Sequence, residues 1–342
     1  RLQPRHVVVA AGFAEVFAQS IGAHAATVSL LAPRYAADAA DAPRARTDLA
    51  VLQFTSGSRG DPRGLRIGIE NLAANLRMIH DWTRVTHHGA VSWLPLYHDM
   101  GLIGGLLAGL SVQTEHALVR PEHFLQNVLG WLAEYGRDAY AHMVMPNFGF
   151  EFVLSHVRPS DLDGMDFSTL ETVVSGAERI DPAILARFAA LLAPFGFDRR
   201  ALMPAYGLAE GTLAVTGMPR ESMARMVRVA SLHRRLGSKV EVCEVAELTE
   251  RPVDRPWLWQ VSCGPAMPGL QLQILDEDGV AQPEGVLGEV HVSGSSVAQG
   301  YLEPSPEDAE RLRDGRLFTG DAGFVLDGEL FVVGRMGDSF TV

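Results

Sequence analysis

Short apolar runs alternate with helix-spaced segments over the first two thirds of the chain, and this limits the fold more than any other feature. Val7–Ala10, Thr27–Leu31, Leu49–Phe54, Ala90–Pro95, Ala139–Val144, Leu170–Val174 and Leu202–Ala205 are short and apolar, and read as strands. Ala14–Ile21, Asn71–Trp82 (with Leu72, Leu76 and Ile79 on one face), Phe124–Glu134, Phe148–His156 and Pro182–Leu192 read as helices, the last with Asp181 as N-cap. Residues 32–47 mix Ala, Asp, Pro and Arg and read as a linker. Strands alternating with helices predict an α/β fold with a parallel sheet up to about residue 215.

Beyond residue 255 the pattern changes. Leu270–Leu275, Gly288–Val292, Gly323–Leu326 and Glu329–Val333 are β-like, with Asp278-Gly279, Asp314-Gly315 and Asp327-Gly328 beside them. Asp-Gly pairs favour tight hairpin turns, so a small antiparallel β subdomain is expected here.

Composition excludes several classes. The chain has 342 residues, 47% hydrophobic and 20% charged, enough for a core and about two domains at roughly 150 residues each. A net charge of −12 argues against a bulk basic face for nucleic acid or anionic membrane. Cys243 and Cys263 make neither a disulfide scaffold nor a zinc site, so a reducing, cytoplasmic setting is expected. The start of the chain carries no signal-peptide pattern. The longest apolar run, Met100–Leu110, falls short of the ~20 residues of a membrane span. It follows His98 and Asp99, and reads as a buried segment beside a polar site. His80, His87 and His88 lack partners at ligand spacing and read as surface. Lys239 is the one lysine among 29 basic residues.

Four motifs sit at strand ends. Residues 55–64 pack glycines, hydroxyls and arginines, which suits a phosphate cradle and a plain surface turn equally well. No Gly-Lys-Ser/Thr follows Gly57, so this is not a Walker loop. Tyr97-His98-Asp99 precedes small residues fit to line a pocket. Tyr206-Gly207-Leu208-Ala209-Glu210 offers an aromatic for a base and a carboxylate for Mg²⁺, but taken alone reads as a strand-to-helix turn. Asp321, after Thr319-Gly320, suits a ribose diol, though ordinary turn aspartates are far commoner.

Taken in order, Thr55–Gly64, Leu94–Gly101, Ser175–Glu178, Tyr206–Glu210, Thr319–Asp321 and Gly334-Arg335 with Asp338 resemble the adenylate-forming (AMP-binding) superfamily over nearly the whole chain. Leu94–Leu102, Tyr206–Glu210 with alanine at 209, and Val292–Tyr301 are similar to the fatty-acyl-AMP ligase branch. Arg63 stands where the family's loop has lysine, and Arg59 where it has threonine; arginine and lysine are not equivalent donors.

The resemblance implies the large N-terminal domain of the adenylating fold: parallel-sheet α/β subdomains plus a small β-barrel subdomain, incomplete at both ends. The implied division is 1–47, remainder of a first α/β subdomain and linker; 48–215, nucleotide and acyl binding; 216–254, a long spacer holding an insertion within 217–258 that disfavours a CoA-forming conformation; 255–333, the β subdomain; and 334–342, a hinge to an absent C-terminal domain that carries the adenylation lysine. The Arg1 start fits an interior slice, and such a slice would adenylate poorly by itself.

The resemblance also implies site roles. Thr55, Ser56, Gly57, Ser58, Gly60, Arg63 and Gly64 would cradle the ATP phosphates. Ser175, Gly176, Ala177 and Glu178, with Tyr206, Gly207, Leu208 and Ala209, would hold adenine. Glu210 would bind Mg²⁺. Asp321 would take the ribose hydroxyls with Arg335 assisting, and His98 would lie near the acyl carboxylate. The implied reaction activates a fatty acid as acyl-AMP for the phosphopantetheine thiol of an acyl carrier protein. An acyl-CoA synthetase, a peptide-synthetase adenylation domain and a non-catalytic nucleotide- and acyl-binding module are the alternatives.

Overall fold

The computed structural model describes residues 7–9, 28–30, 48–56, 62–85, 88–137, 140–231, 235–248 and 255–336. The chain divides into two compact units, residues 1–47 and 48–342. In the first, strands β1 (Val7–Val9) and β2 (Val28–Leu30) pair in parallel, Val8 opposite Ser29. The helix expected at Ala14–Ile21 and the linker at 32–47 lie outside the described residues.

The second unit opens with a hairpin. β3 (Leu49–Ser56) and β4 (Pro62–Gly68) pair antiparallel, with Thr55 opposite Arg63. Thr55 and Ser56 on one side and Pro62, Arg63 and Gly64 on the other therefore belong to the ladder. Gly57, Ser58, Arg59 and Gly60 lie outside the described residues. The helix Ile69–Thr83 follows and buries Ala74, Asn75, Met78 and Ile79. Asn75 is fully buried and clamps the backbone of Ala214, donating through Nδ2 to its carbonyl (2.8 Å) and accepting from its N–H at Oδ1 (3.1 Å).

β5 (Ala90–Ser92) pairs in parallel with β6 (His116–Leu118). Between them Met100–Leu107 is a π-helix continued by the α-helical turn Ala108–Ser111. Glycines bring it against the strand end: a Cβ on Gly101 would stand 2.2 Å from the Pro95 carbonyl oxygen, and one on Gly105 2.7 Å from Ser92 Oγ. The single helix expected at Phe124–Glu134 is two, Pro121–Gln126 and Val128–Arg137. Asn127 breaks it by leaving helical geometry (φ −145°) while its side chain accepts from Gly130 N–H.

β7 (His142–Met145), β8 (Thr172–Ser175) and β9 (Leu202–Gly207) form the parallel sheet, with β10 (Ala214–Gly217) antiparallel to β9. Helices Asn147–His156 and Pro182–Leu192 accompany it. Asp181 caps the second as expected, accepting from Ala183 N–H at 2.8 Å. Phe124, Trp131, Tyr135, Phe150, Phe167 and Phe188 fill the core of this layer.

β11 (Arg225–Val229), β12 (Val242–Glu247) and β13 (Trp259–Val261) make a separate antiparallel sheet. β14 (Leu270–Leu275), β15 (Gly288–Gly294), β17 (Leu312–Arg313), β18 (Arg316–Leu326) and β19 (Glu329–Arg335) build the antiparallel region expected after residue 255. β16 (Gly300–Tyr301) leaves that sheet and adds to β4, Tyr301 opposite Leu65. Asp314-Gly315 and Asp327-Gly328 have positive φ at both residues, the requirement of a type I′ hairpin turn.

Candidate nucleotide and acyl site

One cavity of about 730 Å³ collects most of the expected residues: Thr55, Arg63, His98, Gly176–Glu178, Tyr206–Glu210, Asp321 and Arg335 line it. They come together because β7, β8 and β9 are parallel, so their carboxyl ends open on one edge. That edge is where ligands bind in α/β sheets. Gly64 and Ser175 are buried beside this wall without lining it. Among the described residues no helix is long and apolar enough to cross a membrane, and no group of three His, Cys, Asp or Glu could hold a metal.

A polar cluster joins β9 to β18 and β19. The half-buried Tyr206 donates its hydroxyl to Asp321 Oδ2 at 2.6 Å, and Arg335 Nε lies 3.1 Å from Asp321 Oδ1. Burial pushes the Asp321 carboxyl above its ordinary range, against the pull of Tyr206 and Arg335. Burial, then the charge of Asp321, pushes the Tyr206 phenol well up. Tyr206 therefore stays a donor and fixes the carboxylate.

Glu210 sits on the one-turn helix Ala209–Gly211, and is 4% exposed. Backbone contact forces the turn that carries it: a Cβ on Gly207 would stand 1.9 Å from the Leu213 carbonyl oxygen. Tyr301 donates its hydroxyl to Glu210 Oε1 at 2.5 Å, and Arg311 Nε lies 3.2 Å from the same oxygen, an ion pair outside hydrogen-bond angle. Arg63, expected to serve phosphates, lines the cavity, pairs with Asp308 at 2.5 Å and lies over the Tyr301 ring, 5.2 Å from its centre. Tyr301, Asp308 and Arg311 were given no role by the sequence. Tyr301 stood only as part of the branch signature, and nothing local marked the other two.

His98 lies at the cavity wall where β5 gives way to the π-helix. Its Nδ1 is 2.7 Å from Asp99 Oδ1. The Asp99 hydrogen bond raises the imidazole above its ordinary value, against partial burial. With Nδ1 held by Asp99, Nε2 is the atom left for a substrate oxygen.

The turn after β8 has unusual backbone geometry, and two hydroxyls near the cavity lack partners. Ala177 takes φ +68°, a left-handed conformation costing an alanine about 1–2 kcal/mol. Glu178 Oε1 accepts from Phe148 N–H at 2.7 Å, tying this turn to the start of Asn147–His156. Thr55 Oγ1 and Ser175 Oγ are buried without a hydrogen-bond partner among the described residues.

The chain belongs to the AMP-binding enzyme family, whose profile matches residues 4–302. It is 34% identical over 323 residues to long-chain-fatty-acid–AMP ligase FadD23 of Mycobacterium tuberculosis (86% of this chain, 52% of the relative). It is 33% identical over 316 residues to a putative fatty-acid–CoA ligase, fadD25, of the same organism (86% and 52%). The fatty acyl-adenylate ligase structures from E. coli and L. pneumophila include a chain that superposes with a TM-score of 0.83 at 31% identity, over 98% of this chain and 60% of that one. The resemblance to the fatty-acyl-AMP ligase branch is thus borne out. The chain spans about half the length of the curated relatives it matches.

Proposed function

We propose that the protein activates a fatty acid: the acyl carboxylate attacks the α-phosphorus of ATP, the bond to the β-phosphate oxygen breaks, and acyl-AMP and pyrophosphate result. One observation carries this reading. The Tyr206–Asp321–Arg335 cluster and Glu210 open on the same cavity as His98, with apolar walls from Met100, Ala108 and Leu213 beyond it. A nucleotide diol, a phosphate-bound cation and an acyl tail thus each have a wall of fitting chemistry.

The nucleotide fit rests on the orphan hydroxyls. Thr55 Oγ1 would gain a phosphate oxygen as partner. Ser56, Gly57, Ser58 and Gly60 continue that donor set in the sequence. The turn Gly176–Glu178 with Tyr206–Ala209 would hold the adenine, and Asp321 with Arg335 the ribose hydroxyls. A lone carboxylate fits Mg²⁺, which keeps waters and substrate phosphates as its other ligands. Glu210 would hold it, and the bound ion would neutralise charge on the departing pyrophosphate. His98 Nε2 would hold the acyl carboxylate in line with the α-phosphorus. The protein's work is then positioning and charge neutralisation.

The acyl group would pass to the phosphopantetheine thiol of an acyl carrier protein, in the reducing cytoplasm that two free cysteines suit. Part of segment 217–258, which includes β11 and β12, would be the insertion that disfavours thioester formation with CoA. A pyrophosphate-exchange panel on the full-length gene product tests the reading. Exchange should depend on fatty acids and proceed without CoA. Amino-acid dependence, or efficient acyl-CoA formation, would sink it.

A further inference from the structure

Glu210 already has a cation. Arg311 projects from the last turn of helix Pro306–Arg311 into the cavity, where its Nε ion-pairs with Glu210 Oε1 and the Tyr301 hydroxyl donates to that oxygen. The far side of the guanidinium is anchored, since NH2 donates to the Thr319 carbonyl at 2.9 Å. Arg335 NH1 donates to that same carbonyl at 2.9 Å. Two arginines therefore converge on one oxygen, each balanced by its own buried carboxylate, Glu210 or Asp321.

This arrangement restricts how a dication can enter. A metal ion taking Glu210 would strip Arg311 of its counter-charge and set it beside two added positive charges in a partly dry site. Like charges so placed repel strongly unless an anion arrives. A planar guanidinium with one edge tethered to Thr319 can turn its free edge to phosphate oxygens, which it recognises well.

We propose that Arg311 is a charge-exchange residue of the pyrophosphate side: it holds Glu210 when no ligand is bound and moves onto the β- and γ-phosphates when Mg²⁺ takes that carboxylate. This rests on the adenylating reading above and adds a rule to it. Mg²⁺ and the polyphosphate enter together, because neither alone balances the charges of Glu210 and Arg311.

Calorimetry on the full-length gene product reads the rule directly, with Mg²⁺ alone, pyrophosphate alone in EDTA, and both together. Wild type should bind Mg²⁺ weakly without pyrophosphate and well with it. Arg311→Gln should bind Mg²⁺ without the anion and lose about tenfold or more in pyrophosphate affinity. In exchange assays its KM for pyrophosphate should rise more than its kcat falls. An Arg311→Gln protein that binds Mg²⁺ and pyrophosphate as wild type does overturns the proposal. Should that variant not fold, Arg311→Lys serves. A lysine keeps the charge but lacks the planar fork that binds phosphate bidentately, so pyrophosphate affinity should fall severalfold, and an unchanged affinity overturns the proposal. Glu210→Gln separates the two levels. Mg²⁺-dependent pyrophosphate binding that survives Glu210→Gln refutes the metal role of Glu210 and this proposal with it. Its loss there, with Arg311→Gln unaltered, refutes the proposal alone.

Discussion

Tyr206 and Asp321 meet through a 2.6 Å hydrogen bond across 115 positions of sequence. The bond ties the end of the parallel sheet to the antiparallel region, so the cavity is built between two layers and neither supplies it alone. Arg335, from the neighbouring strand β19, completes the cluster at 3.1 Å.

Asp321→Asn should weaken ATP binding by about tenfold or more, because a charged acceptor for sugar hydroxyls becomes a neutral amide. Tyr206→Phe should cost less, about 1 kcal/mol of binding, since it removes the donor that orients Asp321 and leaves the carboxylate in place. Titration of both variants with ATP checks the order. Equal affinities for wild type and Asp321→Asn would remove the residue from the ribose site.

His98 should titrate above its ordinary value of 6.5, with the Asp99 bond as the largest cause. A raised folded value means this stabilising contribution is complete below 6.5 and fades as pH rises through the folded value. In Asp99→Asn the His98 resonance should titrate at lower pH. An NMR titration that finds no difference between the two proteins would show the pair to be uncoupled.

His142 runs the other way. Burial first, and then the charge of Arg220, bring it down to about 4 from 6.5. Its ring is held neutral, with Nδ1 2.9 Å from Thr172 Oγ1. The unfolded chain takes up this proton first as pH falls below 6.5, so stability is lost from there down to about 4. The full loss is on the order of 3 kcal/mol. His142→Gln should flatten the fall in melting temperature over that window. A variant with the wild-type slope would locate the acid sensitivity elsewhere.

Gly207→Ala tests the turn that carries Glu210. Its methyl would meet the Leu213 carbonyl oxygen at 1.9 Å, and a backbone atom cannot rotate away as a side chain can. The expected cost is about 1–3 kcal/mol of stability, together with loss of Mg²⁺-dependent activity as the Glu210 turn shifts. Denaturant unfolding and pyrophosphate exchange on one preparation measure both. A stable, active variant would mean that the turn relaxes freely.

Much of this was legible beforehand. Pro182–Leu192 begins and ends where its cap and spacing place it, and β14 has the bounds read from its apolar run. The turns at Asp314-Gly315 and Asp327-Gly328 and the antiparallel strands beyond residue 255 were equally plain. These features depend on neighbours within a few residues, and sequence records neighbours directly. The break at Asn127 was missed because it hangs on one side chain choosing a backbone partner over helical continuation. The extension of β3 to Ser56 and the start of β4 at Pro62 were missed because that composition reads as a turn until the strands are paired.

The sequence by itself determined many of the strands and helices, the order of the motifs and the family, because each is written in local pattern. Only the tertiary structure decided which charges answer one another. Tyr301 is 91 positions from Glu210, and Arg311 lies further still along the chain, yet both reach one carboxylate oxygen. Electrostatic pairing follows distance in space and burial, and strand pairing across the sheets sets both.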